Sequence, residues 1–305
     1  MSPSPEGREQ GPGATARSAA VTTAAAALRE TAGALTLALG EDAPREAQRL
    51  VAAALGLGLA SLLAEPGRPV DAPAAARLRD WARRRAAGEP YAYLVGCRGF
   101  WTLELEVGPA VLVPRPETEL LVERVLACGD VLAAVRAAPL EFADLGTGSG
   151  AIALAVARER PAWNVVGVDV SPGALAIARR NAARHGLERV QFVEGDWFTP
   201  LAGRRFDLVA SNPPYVAADD PVLQGDSLRH EPRSALTPGP DALAALRAIT
   251  RAAPAALRAG GSLLLEHGSA QGEAVRACLV ARGFRHVVSS RDLAGHERVT
   301  EGRLP

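Results

Sequence analysis

The stretch Asp144-Leu145-Gly146-Thr147-Gly148-Ser149-Gly150 lies between a predicted strand, Leu140–Leu145, and a predicted helix, Gly150–Arg160. Glycine lacks a Cβ atom, so glycines at alternate positions let the backbone turn sharply and approach a ligand closely. A strand, a glycine-rich turn and a helix in this order are typical of α/β domains that bind a nucleoside. We therefore predict that residues 146–150 form a cofactor-binding loop.

An acidic residue, Asp169, follows Gly150 by 19 residues, directly after a second predicted strand, Asn164–Val168. A carboxylate at that position can accept hydrogen bonds from both ribose hydroxyls of an adenosine ligand. The alternative is the dinucleotide-binding loop of an oxidoreductase, but that class has G-x-G-x-x-G and this chain has G-x-G-x-G. Further on, Asp196 is placed to bind the adenine amino group, and Trp197 is either a stacking partner of adenine or a core residue.

The segment Ser211-Asn212-Pro213-Pro214-Tyr215 follows a fourth predicted strand, Phe206–Ala210. In an open α/β sheet, ligands bind beyond the carboxyl ends of the strands, so this segment is expected to face the glycine-rich loop. Its two prolines fix φ and remove two N–H donors, which predicts a rigid loop with free carbonyls. We expect the Asn212 side-chain oxygen and the Pro213 carbonyl to accept hydrogen bonds from a planar amide or amino group, with Tyr215 offering it a flat face.

The nitrogen of such a group is a poor nucleophile because its lone pair is delocalised. Acceptors placed around it would favour the localised lone pair as positive charge develops on the nitrogen. The chemistry that suits this arrangement is one in-line methyl transfer from a sulfonium, in which positioning supplies most of the rate enhancement. The expected cofactor is S-adenosyl-L-methionine, and neither a metal nor a catalytic histidine is required.

Strands and helices alternate from Pro116 to the end of the chain, which predicts a parallel sheet with helices on both faces. The remaining predicted strands are Val190–Val193, Ser262–Glu266, His286–Ser289 and Arg298–Thr300, and the remaining helices are Pro172–His185, Asp241–Leu257 and Ala270–Ala281. The expected fold class of residues 117–305 is therefore α/β, with seven predicted strands.

The chain before residue 117 differs from this domain in composition and in its hydrophobic pattern. Residues 1–18 combine Pro, Gly and Ser with both signs of charge and predict a disordered tail. Residues 19–96 are rich in Ala and Leu and predict four or five short helices, with Asp71 as an N-cap. Residues 97–116 alternate at Leu103, Leu105 and Val107, turn at Gly108-Pro109 and continue into Val111–Val113, which predicts a β-hairpin linker.

The composition excludes several classes of protein. The 305 residues carry 34 basic and 34 acidic side chains, and a zero net charge disfavours a protein that grips many phosphates. No apolar run reaches the length of a membrane span, and the N-terminus has no signal-peptide pattern. Three scattered cysteines without metal-ligand spacing are typical of free thiols. We expect a cytoplasmic protein with no membrane or direct nucleic-acid partner, and the sequence predicts no particular oligomeric state.

With these motifs in place, the chain resembles the HemK/PrmC family, the N5-glutamine methyltransferases of peptide chain release factors. The resemblance runs from about Gly88 to Arg298 and is carried, beyond the two central motifs, by further segments: 88–96, Phe100, 112–119 (Leu-Val-Pro-Arg-Pro-Glu-Thr-Glu), 231–236 (Glu-Pro-Arg-Ser-Ala-Leu), 266–268 (Glu-His-Gly) with Gln271, and 292–298. The chain departs from the family at His230, where the family usually has tyrosine.

The resemblance implies a helical N-terminal domain that helps dock the release factor, a hairpin linker, and a Rossmann-like, seven-stranded class I methyltransferase domain over residues 117–305. It also implies that the substrate is a glutamine in a Gly-Gly-Gln loop. It implies that Phe100, Asn212, Pro213, Pro214 and Tyr215 hold that glutamine, and that Asn212, Pro213 and Tyr215 form the catalytic set. The implied cofactor set is residues 146–150 with Asp169, Trp197 and Asn212.

Two alternatives stay open at this point. An adenine-N6 or cytosine-N4 nucleic-acid methyltransferase also suits Asn-Pro-Pro-Tyr, but it predicts a basic substrate face and a base-recognition insertion. A non-catalytic protein that docks on a release factor or the ribosome is the second alternative, and it predicts no binding of S-adenosylmethionine.

Overall fold

The computed structural model describes residues 20–136, 138–225 and 227–305, so the tail predicted for residues 1–18 lies outside the described residues. The chain divides into two compact units, one ending at Ala87 and the other running from Gly88 to Pro305. Within the described residues, every helix falls short of the length or the hydropathy that a membrane span requires.

Over residues 20–87, the first unit is built from four α-helices and a small antiparallel sheet. The elements are β1 (Ala20–Thr23), α1 (Ala24–Leu39), α2 (Ala43–Leu55), α3 (Leu59–Ala64), β2 (Pro69–Asp71) and α4 (Ala72–Ala86). The helices were predicted, and so was the N-cap of α4, where the Asp71 carboxylate accepts from the Ala74 N–H at 2.8 Å. The pairing of β1 with β2 was not predicted, since strands of four and three residues are too short to show a period.

The second unit begins with α5 (Tyr91–Val95) and an antiparallel hairpin of β3 (Cys97–Phe100) and β4 (Leu103–Glu106). The predicted second strand at Val111–Val113 is wrong, because β4 pairs with the segment before it. The chain reverses at Trp101, whose φ is 55°, and not at Gly108-Pro109. Residues 111–113 are irregular, and the Val113 N–H donates to a side chain instead of a strand.

The main sheet has seven strands: β5 (Glu141–Leu145), β6 (Asn164–Asp169), β7 (Gln191–Glu194), β8 (Phe206–Ser211), β9 (Leu257–Glu266), β10 (Arg285–Arg291) and β11 (Glu297–Arg303). Their order is β10-β11-β9-β8-β5-β6-β7. Strands β5 to β9 are parallel, whereas β11 runs antiparallel to β9 and to β10. The chain moves outward from β5 through β7 and then crosses to β8, so β5 and β8 flank the topological switch point where ligands bind.

The helices of this unit are α6 (Thr118–Ala133), α7 (Ala151–Glu159), α8 (Pro172–Arg184), α9 (Arg233–Leu236), α10 (Ala244–Ala256) and α11 (Gly272–Ala281). Helix α6 was missed, although Leu121, Val122, Val125 and Leu126 form the apolar face that packs in the core. Alternation along β5 divides the core into two layers. Phe142 packs with α6 and α7, and its neighbour Ala143 packs with α10 and α11.

Candidate active site

A cleft opens at the carboxyl ends of the parallel strands. It holds about 1040 Å³ of empty space when the open solvent at its mouth is included. The cleft brings together most of the predicted site residues: Gly146, Thr147, Gly148, Ser149, Asp169, Asp196, Trp197, Asn212 and Pro214. Gly150, Pro213, Tyr215 and Phe100 lie outside its lining.

The glycine-rich loop is joined to the end of β6 by Asp169. The Gly148 N–H donates to Asp169 Oδ2 at 2.8 Å, and the Ser171 N–H donates to Oδ1 at 2.9 Å. Burial raises the pKa of Asp169, and these backbone donors oppose the rise. Gly148 has φ 55°, and a Cβ atom there would point into open space. The loop therefore leaves room for a ligand beside a carboxylate that is held in a fixed position.

A second carboxylate, Asp144, holds the other end of the loop. It is fully buried at the end of β5, where its Oδ2 accepts from the Thr147 hydroxyl at 2.6 Å and from the Ala153 N–H at 3.2 Å. Burial raises its pKa to about 7, and Asp169 adds to the rise. Sequence reasoning quoted this residue within the motif and gave it no role. The structure shows that it ties the loop to the first turn of α7.

Trp197 is both a core residue and part of the cleft. Its side chain is partly buried against the core layer of α10 and α11, and it also lines the cleft. A Cβ atom on Gly146, whose φ is 71°, would lie 3.5 Å from the Trp197 ring. The two interpretations of this residue from sequence are therefore compatible.

The Asn-Pro-Pro-Tyr segment faces the glycine-rich loop across the switch point, as predicted. Asn212 is half-buried and its Nδ2 donates to the Thr118 hydroxyl at 3.1 Å. Pro213 is buried beneath the loop. Tyr215 packs against the core, and its backbone carbonyl accepts from Gln271 Nε2 at 2.9 Å. Burial raises the pKa of Tyr215 to about 12, so its hydroxyl is neutral at physiological pH.

Below Asn212 lies Glu266, the last residue of β9, which sequence reasoning gave no role. The residue is 1% exposed. Burial raises its pKa to about 7, while hydrogen bonds from Thr118 and Asn212 oppose that rise. Its position after an apolar strand end, opposite Asn-Pro-Pro-Tyr in a parallel sheet, was the signal that could have identified it.

Phe100 is placed away from the cleft. Only 2% of the residue is exposed, and it packs in the core layer that includes Leu103 and Leu121. Contact between Phe100 and a substrate glutamine therefore stays a prediction from resemblance. Its neighbour Trp101 is half-buried, with its indole N–H donating to Glu159 at 2.8 Å.

One wall of the cleft is formed by segments 112–119 and 231–236, which were so far known only as part of the family resemblance. Glu231 Oε2 accepts from the Val113 N–H at 2.9 Å, and its other oxygen accepts from the Arg115 guanidinium. The Glu231 side chain is fully buried, whereas Arg115 reaches the cleft beside Pro232. This ion pair fixes two loops separated by more than a hundred residues, so the wall does not depend on either loop alone.

Comparisons with known proteins agree with this geometry. The Methyltransferase domain family matches residues 139–290, and the PrmC N-terminal domain family matches residues 26–96. The release factor glutamine methyltransferase of Xylella fastidiosa (strain 9a5c) is 49% identical over 260 residues, which cover 85% of this chain and 93% of that protein. The chain belongs to the release factor glutamine methyltransferase family. The Escherichia coli (strain K12) protein of this family is 41% identical, covering 88% of this chain and 94% of its own length.

Solved structures outside the family share its methyltransferase fold. The hMettl16 catalytic domain in complex with an MAT2A 3′UTR hairpin has a TM-score of 0.53 at 15% identity and covers 78% of this chain and 86% of its own. The T. thermophilus 16S rRNA N2 G1207 methyltransferase, in complex with AdoMet and guanosine, has a TM-score of 0.50 at 19% identity and covers 68% and 50%. The predicted fold class, a Rossmann-like class I methyltransferase, is confirmed.

Proposed function

We propose that this chain transfers a methyl group from S-adenosyl-L-methionine to the side-chain amide nitrogen, N5, of the glutamine in the Gly-Gly-Gln motif of peptide chain release factors. Membership of the release factor glutamine methyltransferase family supports this activity. The structural observation that carries it is the position of Asn212, which lines the same cleft as Asp169 and the glycine-rich loop.

The cofactor half of the cleft fits S-adenosyl-L-methionine. Asp169 Oδ2 accepts from Gly148 and Oδ1 accepts from Ser171, and the carboxylate still has lone pairs with which to accept from ribose hydroxyls. Trp197 offers the adenine ring an apolar face, and exposed Asp196 lies beside it. When bound, the cofactor supplies an electrophilic methyl group on a positively charged sulfur. Gly146 to Gly150 and Asn212 would complete its contacts.

The substrate half of the cleft is suited to a carboxamide. Asn212 Nδ2 already donates to Thr118, so Asn212 Oδ1 is the atom left to accept an N–H from the substrate. The Pro213 carbonyl would accept the second N–H, on a loop stiffened by Pro214. Two such acceptors hold the nitrogen in line and stabilise the positive charge that develops on it. The methylated nitrogen then loses its proton to water.

The first unit is proposed to dock the release factor. Its described part, Ala20–Ala87, is a helical unit in a region that matches the PrmC N-terminal domain family. We assign residues 19–96 to docking, the hairpin region 97–116 to the linker and 117–305 to methyl transfer. A cytoplasmic location follows from the proposed substrate, because release factors act on ribosomes.

The test is mass spectrometry of purified release factors after incubation with the protein and methyl-labelled S-adenosylmethionine. The expected product carries one labelled methyl group on the glutamine of Gly-Gly-Gln. A release factor with that glutamine replaced by alanine is the matched control and should stay unlabelled.

RNA and DNA incubated in parallel address the nucleic-acid alternative. Label on adenine or cytosine, with none on the release factor, would contradict the proposed substrate. Binding of the release factor without any transfer of label would favour the non-catalytic alternative.

A further inference from the structure

A cluster of polar side chains joins Asn212 to the end of β9. Asn212 Nδ2 donates to Thr118 Oγ1 at 3.1 Å. The Glu266 carboxyl group lies beside both side chains, which as hydrogen-bond donors lower its pKa and so favour its ionised form. Thr118 is 4% exposed and Glu266 is 1% exposed, so water does not compete for these bonds. The three residues come from α6, the loop after β8 and the end of β9, and they meet directly under the cleft.

The donors in this cluster can be assigned from chemistry. When Glu266 is ionised, its carboxylate only accepts hydrogen bonds, so the single proton of the Thr118 hydroxyl is directed to Glu266. Thr118 Oγ1 can then only accept from its other neighbour, Asn212. Both N–H groups of Asn212 therefore face Thr118 and Glu266. A rotation of the carboxamide by 180° would place its oxygen against these two acceptors, which is unfavourable. Its Oδ1 is left on the side of the cleft.

We infer that Glu266, acting through Thr118, is a positioning residue that fixes the orientation of the Asn212 carboxamide and presents Oδ1 to the substrate amide. This inference rests on the proposed function, because the substrate is the group that Oδ1 would hold. Glu266 itself does not touch the substrate. When Glu266 is ionised, an anion behind the carboxamide also polarises it, which makes Oδ1 a stronger acceptor than an isolated carboxamide oxygen.

The surroundings of Glu266 agree with a role other than packing. Its Oε2 has no hydrogen-bond partner among the residues that the structure describes. A buried carboxyl oxygen without a partner costs stability, so a carboxyl group kept there for packing alone would be unfavourable. Arg298 favours its ionised form, whereas Glu117 opposes it. Tyr215 also lies close enough for Glu266 to raise its pKa.

The test is a double-mutant cycle in the full-length protein. Glu266→Gln and Thr118→Val are each combined with Asn212→Ala, and single-turnover methylation of a release factor is measured at saturating S-adenosylmethionine. If Glu266 and Thr118 act through Asn212, each single variant loses about 10- to 100-fold in turnover, since an oriented partner is removed. In the Asn212→Ala background the same changes should cost less than about threefold.

Three further measurements separate positioning from folding. Thr118→Ser keeps the hydroxyl and should retain most of the activity. Asp207→Asn changes another fully buried carboxylate, at the opposite end of β8, and controls for lost stability without lost turnover. Calorimetry with S-adenosylhomocysteine should give the same affinity in Glu266→Gln as in the wild-type protein.

The outcomes distinguish this inference from the proposed function. Losses of equal size in both backgrounds, or full turnover in Glu266→Gln and Thr118→Val, would overturn the positioning role alone. Wild-type turnover in Asn212→Ala would instead contradict the proposed place of the substrate amide.

Discussion

The backbone N–H of Gly148 donates to the carboxylate of Asp169 across 2.8 Å. This bond joins the loop after β5 to the end of β6, on the two strands whose loops form the cofactor half of the cleft. Because Asp169 also accepts from Ser171, its carboxylate is held before any ligand arrives. A preformed acceptor loses little entropy when it binds a ribose hydroxyl.

Asp169→Ala should therefore weaken the binding of S-adenosylhomocysteine. A hydrogen bond to a charged acceptor contributes about 1.5–3 kcal/mol, and about 1.4 kcal/mol corresponds to a tenfold change in affinity. We expect a loss of roughly ten- to a hundred-fold by calorimetry. Asp130→Ala, which removes an exposed carboxylate from α6, is the control and should bind normally. Unchanged affinity in Asp169→Ala would remove Asp169 from the cofactor site.

Gly167→Ala should displace the glycine-rich loop, residues 146–150. A Cβ atom on Gly167, in the middle of β6, would lie 2.7 Å from the Thr147 hydroxyl and 2.9 Å from the Phe192 ring. Thr147 must then move, and its bond to Asp144 is lost or stretched. We expect weaker binding of S-adenosylhomocysteine and a lower Tm. Gly33→Ala is the matched control, since a Cβ there meets nothing within 4 Å. Equal effects of the two substitutions would show that the loop tolerates the displacement.

The stability of the protein should depend on pH through Asp144. Its pKa is raised by burial to about 7 in the folded state, from an ordinary value of 3.8. The folded state thus holds the proton more tightly, and the stability that this supplies is lost as the pH rises from about 4 to about 7. Each unit of pKa shift corresponds to about 1.4 kcal/mol.

Asp144→Asn removes this titration and keeps the shape of the side chain. Tm is measured without ligand for both proteins. The Tm of the variant minus the Tm of the wild-type protein should increase from pH 5 to pH 8. A difference that is constant over this range would show that Asp144 does not titrate there.

Removal of the first unit should separate docking from chemistry. The second unit, from Gly88 to Pro305, contains the whole cleft. A truncated chain beginning at Gly88 is expected to bind S-adenosylhomocysteine with the wild-type affinity and to methylate full-length release factor poorly. A short peptide with Gly-Gly-Gln is the control substrate and should be modified at similar rates by both proteins. Full activity of the truncated chain on the release factor would exclude docking by the helical unit.

Most of this fold could be predicted from local sequence patterns, because each parallel strand is a short apolar run followed by a turn motif. The cleft followed from two motifs, since the carboxyl ends of β5 and β8 must meet at the switch point. The same reasoning could have placed Glu266 near the cleft, because it ends a parallel strand, but it could not have given the residue a role. Its role depends on contacts with Thr118 and Asn212, which are distant in sequence and carry no shared pattern. The hairpin was misplaced because Val111–Val113 is apolar for another reason: Val111 and Val113 are buried beside the cleft.

The direction of the hydrogen bonds under Asn212 leads to a final prediction. Asn212→Asp keeps an acceptor toward the cleft but replaces Nδ2, the donor to Thr118, with an oxygen close to Glu266. Two carboxylates then share a buried site, which raises the pKa of at least one of them. We expect turnover of Asn212→Asp to fall by about 100-fold or more at pH 8, as for loss of one preorganised partner.

Exchanging the carboxamide and the carboxylate between positions 212 and 266 should restore the pairing of a donor with an acceptor. In the double variant Asn212→Asp with Glu266→Gln, the new carboxamide donates to the new carboxylate, and one carboxylate oxygen is again directed to the cleft. We expect single-turnover rates at least about tenfold above those of Asn212→Asp alone, because a charge-assisted bond replaces a repulsion. Asn212→Asp with Asp207→Asn is the control and should show no recovery, since Asp207 lies at the other end of β8. If the exchanged pair is no faster than Asn212→Asp, then Glu266 does not set the orientation of residue 212, and the bond to Thr118 alone must hold it.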